Sequence, residues 1–296
     1  MKYLKVFENY QSDEEIHEIC KLYNIVNYTI NNGLVDVDGD VNLYTECLTE
    51  LPLKFGKVTG YFECSNNLLT SLEGAPKTVG GRFDCSSNKL TSLEGCSEKV
   101  GGDFCCKNNQ LTSLKGGPIT VGSDYRAFNN KLATLEGAPK VIHGNFNCSD
   151  NRIVNLKGCP DVDVLYCHSN KLLESLEGSP KKVKDLFIGI CPKIISFEHF
   201  PIILNMLDCE HTPIYFIWSL FKTIYNNPLD KIGYLNECDV VRDKDYENDL
   251  GYTGKPFIIK YRLEFFLDEI GIMPSKLSDV IEEYSRRGKN LPYTFI

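Results

Sequence analysis

The chain lacks any apolar run approaching the roughly 18 residues that a membrane-spanning helix needs, so no membrane span is expected. It also lacks a surplus of positive charge. Lys+Arg number 32 against 40 Asp+Glu, a net charge of −8, which argues against a nucleic-acid binder working through a basic stripe. Met1–Glu15 holds no uninterrupted apolar stretch and no small-residue cleavage site, so a secretory signal is not expected. No C-x-x-C pair occurs anywhere, which removes the usual zinc frameworks. What remains is 42% hydrophobic and 24% charged, the balance of a protein that packs a core.

The 13 cysteines are many and odd in number. Their placement follows a period rather than a bridging pattern. Cys64, Cys85 and Cys106 are 21 residues apart, and two further steps of 21 reach Cys148. Aligned on that period the chain reads VTGYFECSNNLLTSLEGAPKT from Val58, VGGRFDCSSNKLTSLEGCSEK from Val79 and VGGDFCCKNNQLTSLKGGPIT from Val100. Further copies begin at Val121 and Ile142, with weaker ones near Asp161, Val183 and Ile203 and a degenerate one at 37–57. A fixed short period is the signature of a solenoid.

The repeat has a physical logic. Alternation puts Phe83 and Cys85 on one face of a short strand and Arg82 and Asp84 on the other. Asn67, Asn88, Asn109, Asn130, Asn151 and Asn170 recur where the chain turns. A buried Asn there can donate to and accept from backbone groups that no ladder reaches. Leu90 and Leu93 point inward, and the recurrent prolines Pro76, Pro118, Pro139, Pro160 and Pro180 keep the return extended. Each coil is therefore expected to contribute one strand to a parallel sheet.

The string F-x-C-S-x-N-x-L-x-x-L resembles the strand-and-turn segment of leucine-rich repeats, with Phe and Cys in two Leu positions. The 20–21-residue period with a Pro-containing return is similar to the bacterial class found in secreted effectors. The phrase L-T-S-L-E-G-x-P with V-G-G-x-F-x-C resembles repeat proteins encoded by tailed bacteriophages and bacteria. The resemblance covers about residues 37–217. It implies a β-solenoid-like leucine-rich repeat: a parallel sheet of short strands on one face, a largely non-helical return side and helical caps at both ends. The boundaries are 1–36 for an N-terminal helix and hairpin, 37–217 for the solenoid and 218–296 for a mainly helical C-terminal cap. In the first, Ser12 and Glu15 fit a capping box, Ile16, Ile19, Cys20 and Tyr23 follow at helical spacing, and Asn32-Gly33 suits a hairpin turn. Net charge is −5 over 1–57, +1 over 58–182 and −4 over 183–296.

Several patterns could carry chemistry. Cys64, Cys85, Cys106, Cys148, Cys167 and Cys209 occupy the inward strand position and read as small core hydrophobes in a reducing compartment. Cys167-His168 and Cys209-x-His211 have no matching second pair, so neither metal nor cofactor is expected. Asp243-x-Asp245-x-Glu247 starts like a calcium loop, but Asn248 stands where Gly is needed and Gly254 where the bidentate Glu belongs. Asp36, Asp38 and Asp40 read as a solvated edge. The effector resemblance raises a thiol ligase, for which Cys238 is the candidate. Its neighbours Glu237 and Asp239 would raise its pKa, and the C-terminal region is short for such a domain. Gly80-Gly81 and Gly101-Gly102 lack the Lys-Ser/Thr of a phosphate loop and read as tight turns.

The expected function is non-enzymatic protein binding in a bacterial cytoplasm by a phage-encoded module. Two alternatives are a virion-associated structural component and the thiol ligase. The partner is expected to be a protein, not nucleic acid or membrane. The expected binding surface is the outward set Tyr61, Glu63, Arg82, Asp84, Asp103, Lys107, Asp124, Arg126, Asn145, Asn147, Tyr166 and His168. Tyr61, Arg82, Arg126 and Tyr166 are the favoured anchors, because aromatic and Arg side chains dominate protein interfaces. One coil breaks the pattern: Ala127 replaces the inward Cys, and Phe128 follows. Phe128 is either an outward anchor or turned inward by a bulge to fill the space beside Ala127.

Overall fold

The computed structural model describes residues 12–195 and 197–212, and beyond them only 214, 215, 218, 229 and the strand residues 240–242, 256–258 and 294–295. The chain divides into two compact units: residues 1–153 with 157–166, and residues 154–156 with 167–296.

The first unit opens with α1 (Asp13–Leu22), where Ser12 and Glu15 form the reciprocal capping box and Asp13, Glu14 and Glu15 complement the positive helix end. Its apolar face, Ile16, Ile19 and Cys20, is buried. The antiparallel hairpin β1 (Tyr28–Asn31) and β2 (Leu34–Val37) follows, and Asn32 and Gly33 take φ of 52° and 75° in the turn.

Coiling then begins with β3 (Val41–Asn42), β4 (Phe55–Val58) and β5 (Phe62–Glu63). The expectation of one strand per coil is corrected here, for every coil through Asn147 supplies two. β6 (Thr78–Val79) precedes β7 (Phe83–Asp84), β8 (Lys99–Val100) precedes β9 (Phe104–Cys105), and β10 (Thr120–Val121) precedes β11 (Tyr125–Arg126). β12 (Val141–Ile142), β13 (Phe146–Asn147) and β14 (Val164–Tyr166) continue the series. The return strands form the sheet β1-β2-β4-β6-β8-β10-β12, and the others stack as β3-β5-β7-β9-β11-β13-β14. From β2 onward all pairings in this unit are parallel, and corresponding repeat positions pair directly, Phe83 with Phe104 and Val79 with Val100. The unit is a β-solenoid with a parallel sheet on two sides. Residues 24–195 contain no helix.

At least one glycine stands at the corner between the two strands of these coils: Gly60, Gly80-Gly81, Gly101-Gly102, Gly122 and Gly144. An ideal Cβ on Gly101 would lie 2.1 Å from the Gly80 carbonyl oxygen, and one on Gly122 2.0 Å from that of Gly101. At these levels a side chain would run into the backbone of the coil before, and glycine lets the corners stack at coil spacing, roughly 4.8 Å; Thr59 and His143 hold the same position at the two ends of the series.

The core is a set of columns. Phe62, Phe83, Phe104, Tyr125 and Phe146 are fully buried, with successive ring centroids 4.9–5.6 Å apart in edge-to-face or tilted contact. Cys64, Cys85, Cys106, Ala127 and Cys148 form the next column, and Leu69, Leu90, Leu111 and Leu132 close the turn. Every cysteine among the described residues is a free thiol.

In the second unit β15 (Lys182–Phe187) and β16 (Ile202–Asp208) pair in parallel, with a register shift between Val183 and Asp185. Beyond them, β17 (Val240–Arg242), β18 (Pro256–Ile258) and β19 (Thr294–Phe295) make a small mixed sheet. The expected helices of 218–296, together with Cys238 and the Asp243–Glu247 series, otherwise lie outside the described residues.

Candidate binding face

The turn after each inward Cys is fixed from inside by the Asn column. Asn88 Nδ2 donates to the carbonyls of Cys64, Cys85 and Ser86 at 3.0–3.2 Å, and its Oδ1 accepts from Leu69 N–H at 2.9 Å. Asn67, Asn109, Asn130 and Asn151 repeat this arrangement, each buried and each tied to the preceding coil. In the second unit the fully buried Asn170 donates to Cys167 O and His168 O. The residue before each Asn, from Asn66 to Asp150, takes φ of 52–56°.

On that frame the outward side chains of the first unit form three columns. The column just before the inward aromatic is Asp40, Tyr61, Arg82, Asp103, Asp124 and Asn145. Three of its carboxylates are committed to the fold. Asp40 accepts from Tyr61 N–H at 2.9 Å, Asp103 from Asp124 N–H at 3.1 Å and Asp124 from Asn145 N–H at 2.9 Å. The second column is Asn42, Glu63, Asp84, Cys105, Arg126, Asn147 and Tyr166. Asn42, Glu63, Asp84 and Asn147 each accept the N–H two residues onward, at 2.8–3.1 Å. The third column, Tyr44, Ser65, Ser86, Lys107, Phe128 and Ser149, carries those N–H groups.

Two arginines clamp the acids. Arg126 bonds Asp103 at 2.8 Å and Asp124 at 2.7 Å, while Arg82 pairs with Asp84 and reaches Glu63 at 4.0 Å. Burial works against the Asp103 carboxylate, but hydrogen bonds from Arg126, Ser123 and the Asp124 N–H hold its pKa below the usual range. Asp84, expected as a surface group, is only 2% exposed, because the Arg82 guanidinium covers it. Asp36 and Asp38 are also tied in, to Lys57 N–H and the Thr59 hydroxyl, so the Asp36–Asp40 series is structural rather than merely solvated.

The strand at Tyr125–Arg126 keeps regular register with both neighbours, and Ala127 N–H donates normally to Asn147 O. No bulge turns Phe128 inward. Its ring is half-buried on the outward side, with Lys107 Nζ 5.3 Å from its centroid. Asn145, Asn147 and Tyr166 are half-buried further along the first unit. His168, in the second unit, contacts the Ser169 hydroxyl.

Between these columns lies an open trough of about 660 Å³, walled by Tyr44, Tyr61, Glu63, Arg82, Asp84, Lys107 and the polar residues Asn42, Ser65, Asn66, Ser86, Ser87 and Asn108. Tyr44, 55% exposed, is the most open aromatic there and was not among the expected residues, because its coil is the degenerate first copy. The signal was its register: Tyr44 stands 21 residues before Ser65. The inward thiols take no part in this face. Burial pushes Cys64, Cys85 and Cys106 well above the ordinary thiol value. Among the described residues, no three His, Cys, Asp or Glu side chains are grouped to hold a metal ion. No family model, curated protein or solved structure matches the chain.

Proposed function

We propose that the chain is a non-enzymatic protein-binding module of the leucine-rich-repeat type, gripping its partner along the outward columns of the first unit. The observation that carries this reading is the division of labour on that face. Most of its acids are consumed by bonds to the backbone and to arginine, while Tyr44, Tyr61, Arg82, Lys107 and Phe128 are presented on a frame that cannot easily deform. Rigid presentation lowers the entropy lost on association, and aromatic and Arg side chains are the usual anchors. The similarity of L-T-S-L-E-G-x-P to bacteriophage repeat proteins adds that the partner is a bacterial cytoplasmic protein.

The test is affinity capture from a bacterial lysate, followed by re-expression of the captured protein and a binding titration. Saturable binding that Tyr44→Ala/Tyr61→Ala/Phe128→Ala abolishes, with melting temperature unchanged within a few degrees, is the expected result. Recovery of the chain within purified phage particles, with no binding that depends on this face, would make it an assembly component instead.

A further inference from the structure

The second outward column supplies each turn with an acceptor, and in two successive coils that acceptor is missing. Asn42, Glu63, Asp84 and Asn147 each receive the N–H two residues on. Cys105 and Arg126 stand in the same column, one a buried thiol and the other a pure donor. The N–H groups that they should receive belong to Lys107 and Phe128, and among the described residues neither meets an acceptor. The carbonyls that the preceding coil could offer, Cys85 O and Cys106 O, are taken by Asn109 and Asn130. Both residues are only half-buried, so an acceptor that the fold itself does not supply can reach this part of the chain.

The charge changes at the same place. Where the acceptor is present, the two columns carry acids, amides, Ser or Tyr; in the gap they bring Lys107 and Arg126. Two outward N–H donors one coil apart, roughly 4.8 Å, beside an ammonium and a guanidinium make a nest for an anionic oxygen. We propose that this gap receives a carboxylate from the partner, an Asp or Glu side chain on an acidic segment, which replaces the missing acceptor. The proposal rests on the protein-binding reading above. A carboxylate is favoured over phosphate by two features. The column's own acceptors are carboxylate and amide oxygens serving single N–H groups. Asp103 and Asp124 already offset Arg126, so the site suits one added negative charge rather than a dianion.

The test uses the full chain, labelled with ¹⁵N, and hexaglutamate peptide as the probe, with inorganic phosphate in a parallel arm. The Lys107 and Phe128 amide resonances should move saturably with hexaglutamate and less with phosphate. Cys105→Asp restores an internal acceptor, so its Lys107 amide should stop responding and exchange about tenfold more slowly than in the wild type. Arg126→Asn makes the same change for Phe128 and stands in if Cys105→Asp does not fold. Stationary resonances, or wild-type amides already as protected as those of Ser86 and Ser149, would overturn the proposal. A stronger response to phosphate would overturn its carboxylate assignment. A captured partner with unresponsive amides removes this inference alone, whereas responsive amides with no captured partner remove the protein-binding reading alone.

Discussion

Asn109 makes the case for how much one side chain carries. Its amide reaches Cys85 O, Cys106 O and Lys107 O at 3.0–3.3 Å and its oxygen accepts from Leu90 N–H, so it satisfies buried backbone groups of two coils. Asn109→Ala strands those groups and should cost about 1–3 kcal/mol in denaturant melts. Asn108, exposed beside it at φ 55°, offers the contrast. Asn108→Gly suits the same backbone angle, gives up only exposed bonds to the Ser87 hydroxyl and from Asn129, and should cost less than about 1 kcal/mol. The acids behave as a second class. Because the folded pKa of Asp103 is depressed, its contribution is complete above the unfolded value near 3.9 and is lost as pH falls through the lower folded value. The melting-temperature gap between wild type and Asp103→Asn should therefore be constant at neutral pH and close below about pH 4. The Asn column was legible in the sequence because a polar residue at an apolar period demands an internal partner. The outward acids were not, since Asp84 or Asp103 on a strand reads as surface charge. Only the recurrence of an acceptor two residues before Ser65, Ser86 and Ser149 betrayed the role of Asp84, and Asp103, which bonds an N–H of the next coil, left no such mark.

At the scale of the element, the strands are too short for alternation to reveal them. Thr78–Val79 and Phe83–Asp84 hold two residues each, and a period-2 pattern needs at least four. The repeat period made the inward aromatic column readable, whereas the second parallel sheet had only single residues such as Val79, Val100 and Val121 to announce it. What separates the two sheets is the glycine corner. Gly101→Ala would push a methyl carbon to 2.1 Å from the Gly80 carbonyl oxygen, and that atom is backbone on the neighbouring coil. The coils must part or the corner must rotate, at a cost of about 1–3 kcal/mol. Gly33→Ala meets no atom within 4 Å, so only its φ of 75° opposes it. Paired melts of the two variants separate steric stacking from backbone conformation: the Gly101 variant should lose more, and in hydrogen exchange its loss should centre on β6, β8 and β10.

At the scale of the whole molecule, the repeats make stability a sum of nearest-neighbour terms. In the first unit each coil touches only the coils before and after it, through pairings such as Thr78 with Lys99 and Lys99 with Thr120. Length can then change in whole periods but not in fractions of one. Removing residues 100–120 joins Lys99 to Val121, so Val121 takes the place of Val100, Tyr125 that of Phe104 and Asn130 that of Asn109. Every inward column stays in register, and the glycine corner continues through Gly122. This variant should fold cooperatively with a lower melting temperature, because one interface between coils is lost while the chain also loses the entropy cost of ordering 21 residues. Removing residues 100–110 instead joins Lys99 to Leu111, which leaves one coil without an inward aromatic, without the Cys position and without its Asn. That chain should aggregate or melt without a cooperative transition. Circular dichroism melts and size-exclusion elution distinguish the outcomes. Equal damage from both deletions would mean that the coils are not interchangeable units and that stability is held by contacts reaching beyond nearest neighbours.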